Sequence, residues 1–241
     1  MSLPHTVSIK SDLGRLIAHA LPAKLTFDQA CMRQGQFGET YIQNVIHEVA
    51  TTNLNVADHW IRQNFAHPTL QDDRSLRKAG APRALDFFIT PTAGRVGRSL
   101  AIEVKWTLSP HCKLRTIITD LYRLKIVRMA NHTTDGMFVL CGLRDDISNL
   151  LTKLRAESQK RAIGRTYGPP LVTIGEMSKS GNSQFAPIDE NGRFLGGTKV
   201  RSKLPIQSNG KPRIPTTVHA QFLGQATVGL RAWSAAVWRI T

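Results

Sequence analysis

Asp86, Glu103 and Lys105 are the residues whose types and spacing could carry out a reaction. In Ala101-Ile102-Glu103-Val104-Lys105-Trp106 side chains should alternate between faces, with Ile102, Val104 and Trp106 on one and Glu103 and Lys105 on the other. Asp86 is an acidic residue inside the apolar run Leu85-Asp86-Phe87-Phe88-Ile89. Residues 91–98, with Gly94 and Gly97, read as a hairpin loop that lets Asp86 lie beside Glu103. Two carboxylates and an ammonium then converge on one sheet surface. Such a group suits phosphodiester hydrolysis. Paired carboxylates hold a hard divalent cation, Mg²⁺ in the first place with Mn²⁺ able to substitute. The cation polarises the phosphate and lowers the pKa of a bound water. Lys105 would hold the attacking water and add positive charge at the phosphorus. A Glu-x-Lys triplet alone is uninformative in a chain of this length, and a solvated Glu–Lys face on an edge strand is the competing reading. The neighbouring apolar strands and the Asp on the preceding strand favour the chemical one.

Several elements must form for these groups to meet. From Gln36 onward, Phe37, Tyr41, Ile42, Val45, Ile46 and Val49 recur at three- and four-residue spacing and predict a helix ending by Thr51-Thr52-Asn53. A short helix over 12–20 is expected to stop near Pro22. Residues 59–66 fit a strand or a short helix. A polar loop with Asp72, Asp73, Arg74, Arg77 and Lys78 precedes strands over 84–90 and 99–107. A second helix over 114–130 presents Leu114, Ile117, Ile118, Leu121, Leu124 and Val127 as its apolar side. Asp135-Gly136 introduces a strand over 137–141. Asp145 or Asp146 can cap a further helix over 147–163, buried through Ile147, Leu150, Leu151 and Leu154. The order predicts an α/β or α+β core around a mixed sheet.

After Gly168-Pro169-Pro170 the composition shifts to Gly, Pro, Ser and Thr with short β-prone runs at 171–174, 216–222 and 232–240. Asn191-Gly192 is a hairpin-turn signal. From Asn191 to Thr241 there are eight Lys or Arg and no acidic residue. The division expected is a core over 1–167 and a basic, β-rich module over 168–241. Trp233 and Trp238 are expected to pack within that module rather than stack on bases.

Thirty-two Lys and Arg against seventeen Asp and Glu give a net charge of +15, which favours a polyanionic partner. No stretch joins a basic face to a strong apolar face, which disfavours a membrane surface. The three cysteines (Cys31, Cys112, Cys141) are far apart, and no HxxxH or HExxH spacing occurs, so neither a disulfide framework nor a zinc motif is expected. Lys10 and Asp12 break the N-terminal region, and a cytoplasmic protein without a membrane partner is expected.

The arrangement Asp86 … Glu103-Val104-Lys105, in the order helix–strand–strand–strand–helix–strand, resembles the PD-(D/E)XK nuclease superfamily with its restriction-endonuclease-like fold. The resemblance spans about residues 35–142. Leu85 stands where the motif's name has proline, as in many active members. The resemblance implies that Asp86 and Glu103 bind metal, that the Val104 carbonyl adds a ligand, and that Lys105 serves the water. It also implies an acidic residue on the first helix after a glycine. Gly38-Glu39 fits, making Glu39 the candidate, with Glu48 in reserve. In related folds, polar residues of the second helix reach the site or the phosphate. An ordinary amphipathic helix would leave Asp120 and Arg123 in solvent. Arg95, Arg98, Lys113, Arg115 and Arg123 are the candidate nucleic-acid contacts.

The expectation is therefore a Mg²⁺-dependent DNA endonuclease, in host defence or in repair and recombination. It would act alone, as a homodimer, or as a subunit of a larger nucleic-acid-processing complex. Two other readings compete: a nuclease fold that only grips nucleic acid, and a basic RNA-binding or assembly protein.

Overall fold

The computed structural model describes residues 12–71, 83–160, 182–185, 203–207, 211, 213, 215 and 218–241. The loop expected around Asp72 to Lys78, the run at 171–174 and the Asn191-Gly192 turn lie outside them. The helices are α1 (Asp12–Ala30), α2 (Glu39–Asn53), α3 (Leu114–Ala130) and α4 (Arg144–Lys160). The strands are β1 (His59–Phe65), β2 (Leu85–Pro91), β3 (Ser99–Trp106), β4 (Thr134–Leu143), β5 (Asn182–Phe185), β6 (Val218–Val228) and β7 (Trp233–Ile240). They form one mixed sheet in the order β1-β2-β3-β4-β7-β6-β5. Among the described strands only β3 and β4 run parallel, joined by α3 as the crossover helix that parallel strands require. No described helix is long and apolar enough to cross a membrane.

The sheet is covered on both faces, which explains why β3 and β4 are almost continuously buried. Ile102, Val104, Trp106, Met137 and Val139 pack against α1 and α2. Ala101, Phe138, Leu140 and Trp238 pack against α3 and α4. Glu103 and Lys105 share the α3 face with Ala101, as strand alternation requires.

Two expectations are corrected here. Helix α1 continues through Pro22 to Ala30 rather than ending before it. An interior proline costs about 3 kcal/mol. Leu13, Ile17, Leu21 and Leu25 are fully buried, and each is worth roughly 1.5–3 kcal/mol, so packing outweighs the break. The described strands of 168–241 do not stand apart as a module either. β7 is inserted between β4 and β6, with Phe138 opposite Trp238 and Val139 opposite Val237, so they complete the core sheet. Trp233 stacks on Trp106 with ring centroids 5.6 Å apart, and Trp238 is buried; both tryptophans serve packing. Residues 59–65 are a strand, β1, paired with β2.

Candidate active site

The site forms where β2 and β3 part. Their antiparallel ladder runs from Ile89–Leu100 to Phe87–Ile102 and stops there. Beyond it, the backbone of Val104 turns to side chains instead. Its N–H donates to Asp86 Oδ2 at 2.7 Å, and its carbonyl accepts from Lys105 Nζ at 2.8 Å. Gln43 on α2 donates to the other Asp86 oxygen at 2.9 Å. Asp86 is thus fixed from two sides, and its carboxyl is close enough to Glu103 to interact directly.

Lys105 is the hub. Its ammonium lies 3.3 Å from Glu39 at the first turn of α2 and 3.1 Å from Asp120 on α3. It therefore ties the helix layers on the two faces of the sheet together. Arg123, one turn after Asp120, lies 3.1 Å from Glu103 and 3.2 Å from Asp120, and also donates to the Ala84 carbonyl. Glu103, Lys105 and Asp120 are buried, whereas Glu39 stays partly open to solvent.

Electrostatics follow from burial and charge count. Among the described residues, four carboxyl groups (Glu39, Asp86, Glu103, Asp120) face two cations (Lys105, Arg123). Burial pushes the Glu103 pKa well up, Asp120 and Asp86 push it further, and Arg123 and Lys105 only partly oppose them. Burial likewise raises Asp86 and Glu39 against the pull of Lys105. Burial alone would lower the Lys105 pKa, but the four surrounding carboxyls outweigh it and hold the ammonium firmly charged. Glu103 Oε1 and Asp120 Oδ2 meet their cations at ion-pair distance without a well-directed hydrogen bond, so each retains acceptor capacity.

Comparison with family models, with curated proteins and with solved structures finds no match. What the site can do rests on its own chemistry.

Among the described residues, no group of three or more His, Cys, Asp or Glu side chains is gathered as a ready-made metal cage. The smaller donor set still fits a hard divalent cation. Its donors are oxygens only, two of its carboxyls exceed the available positive charge, and buried acceptor atoms are left without directed partners. Mg²⁺ typically takes one or two carboxylates and completes its shell with water and substrate phosphate.

Of the sequence-derived site residues, Asp86, Glu103, Val104, Lys105 and Glu39 come together. Glu48 does not: it is exposed and lines a groove between α1 and α2. Asp120 and Arg123 are drawn into the site, contrary to the solvated-face reading. Arg123 is engaged with Glu103, Asp120 and Ala84 instead of standing free for phosphate. Arg98 is also placed elsewhere. It clamps Asp135 through two bonds of 2.9 Å and also donates to the His132 carbonyl. Asp135 pairs with Leu100 and Lys105 with Leu140, which puts the two clusters roughly 17 Å apart along the strands. Arg95 is exposed and paired with Asp58 at 2.9 Å. Lys113 and Arg115 are exposed at the start of α3. Sequence reasoning missed Gln43 and underrated Asp120. The signal for Asp120 was its position between Ile117 and Leu124, inside the apolar stripe of α3.

Proposed function

We propose that this protein is a divalent-metal-dependent nuclease acting on DNA, with Asp86, Glu103 and Lys105 at its centre. The observation that carries the reading is the surplus of buried carboxyls around a single lysine at the parted ends of β2 and β3. A protein of net charge +15 that gathers acidic groups in one buried place does so against its overall field. A divalent cation held by Asp86 and Glu103 would balance that surplus and supply a Lewis acid for a phosphodiester.

Asp86, Glu103 and the Val104 carbonyl would hold Mg²⁺, which supplies Lewis-acid polarisation of the phosphate and a more acidic bound water. Val104 N–H and Gln43 orient the Asp86 carboxylate toward that role. Lys105, fixed by the Val104 carbonyl, Glu39 and Asp120, would exchange one of these partners for the attacking water and add positive charge where negative charge grows in the transition state. Arg123 partly compensates the Glu103 carboxylate. Phosphodiester cleavage demands roughly 20 kcal/mol of barrier reduction, and positioning with electrostatic stabilisation can supply most of it. The competing reading, a grip without catalysis, is favoured by one observation: Glu103 and Lys105 are both already ion-paired.

The deciding experiment incubates the full chain with supercoiled, linear, branched and single-stranded DNA, and with RNA, in Mg²⁺, Mn²⁺ or EDTA. Cleavage of DNA that needs the cation and disappears in EDTA supports the proposal. Equal cutting in EDTA, or cation-dependent cutting that survives Glu103→Gln, overturns it.

A further inference from the structure

Beside the carboxylate cluster, a pocket of about 510 Å³ is lined by Arg83, Ala84, Arg115, Thr116, Thr119, Asp120, Arg123 and Lys203. It falls in the size range of small-ligand sites. Among the described residues that line it, four are cations, from three separate stretches of chain: Arg83 on the approach to β2, which also donates to the Leu70 carbonyl, Arg115 and the already paired Arg123 on helix α3, and Lys203. Asp120, the one acid among the described lining residues, is already shared by Lys105 and Arg123. Arg115 and Lys203 are exposed and form no ion pair with any described residue. Arg115 and Thr116 lie in the first turn of α3, where the positive end of the helix dipole favours an anion. Its wall toward the site is Asp120 and Arg123, so a ligand here sits next to the cleavage centre without occupying it.

We propose that this pocket binds a phosphomonoester, presented by the end of a nucleic-acid strand or by a mononucleotide. The charge count selects a monoester over a backbone diester. A diester carries one negative charge, whereas a monoester carries about −1.5 to −2 at neutral pH and better matches the cationic excess. Guanidinium groups offer paired donors suited to phosphate oxygens. The assignment of the ligand to nucleic acid rests on the nuclease reading; the affinity for a phosphomonoester does not.

The test measures binding in EDTA, where no cleavage intervenes. Fluorescein-labelled oligonucleotides of one sequence carry a 5′-phosphate, a 3′-phosphate or hydroxyl ends, and are titrated with the full chain by anisotropy. A mononucleotide and inorganic phosphate serve as competitors. The expected result is at least tenfold tighter binding of one phosphorylated end than of the hydroxyl end. Arg115→Ala and Lys203→Ala, both at exposed positions, should bring that ratio toward one. Competition by the mononucleotide without end preference would assign the pocket to free nucleotide. Equal affinity for all ends with no effect of mononucleotide or phosphate overturns the proposal, as does a preference unchanged in both variants. Monoester binding without cleavage under any metal removes the nuclease reading alone. Metal-dependent cutting of closed circular DNA without monoester preference removes the pocket alone.

Discussion

Glu103→Gln separates a functional carboxylate from a structural one more sharply than an alanine scan. The change keeps shape and removes one charge at a site only 2% exposed. Burying a carboxylate costs several kcal/mol after relaxation. Arg123 at 3.1 Å and Lys105 offset much of this, yet the pKa remains well above the ordinary 4.5, so the offset is incomplete. Neutralising the carboxylate removes that uncompensated cost, and single stabilising substitutions typically gain about 0.5–2 kcal/mol. In EDTA at pH 7, Tm should rise by about 2–4 °C for each kcal/mol gained. Because the folded pKa lies above the unfolded one, the wild type binds more protons folded than unfolded and loses stability as pH rises past 4.5. The gap between variant and wild type should therefore widen with rising pH. Mg²⁺ at a hundredfold excess over its Kd should stabilise the wild type by about 2.7 kcal/mol and the variant far less. Differential scanning fluorimetry across pH, with and without Mg²⁺, reads all three effects. A variant destabilised by 2 kcal/mol or more in EDTA would refute the reasoning and make Glu103 a structural partner of Arg123.

Lys105→Ala should abolish cleavage and, in metal-free protein, destabilise by about 3–5 kcal/mol because buried carboxyls lose their shared cation; urea denaturation checks this. Asp135→Asn should cost about 2–3 kcal/mol, since Arg98, Arg128 and Arg239 all lose their anion. Burial raises the Asp135 pKa, but its arginine partners bring it below the ordinary 3.8. Its contribution is therefore full above that pH and fades as pH falls through the depressed value, so variant and wild type should converge in acid melts. Gly142→Ala should lower Tm sharply, because its Cβ would sit 1.8 Å from Thr107 Oγ1 on a backbone of φ +155°; a melt within 1 °C of wild type would contradict it.

The part of the site carried by strand alternation was legible in the sequence. Glu103 and Lys105 had to share a face, and a hairpin had to bring Asp86 near them. Helix α3 was less legible, because a wheel shows which face is apolar but not how much of the helix is covered. The sheet and neighbouring elements bury Asp120 and Tyr122 as well as the aliphatic stripe, and that coverage is a tertiary fact. Pro22 misled for a similar reason: local propensity opposed the helix, and packing of Leu21 and Leu25 outweighed it. The position of β6 and β7 depends on pairing across long sequence separation, which leaves no mark on local composition. Arg98 looked like any loop arginine until Asp135 was placed opposite its strand.

The insertion of β7 beside β4 has a further effect on how the molecule is made. The hairpin of β2 and β3 closes locally and early, but β4 obtains its second neighbour only after 144–232 have been traversed. Until then a strand with apolar side chains on both faces presents a bare hydrogen-bonding edge, a template for pairing between chains. High contact order of this kind slows folding. Substitutions in β7 should therefore be felt first as aggregation during synthesis, with the molecules that do fold keeping their full specific activity.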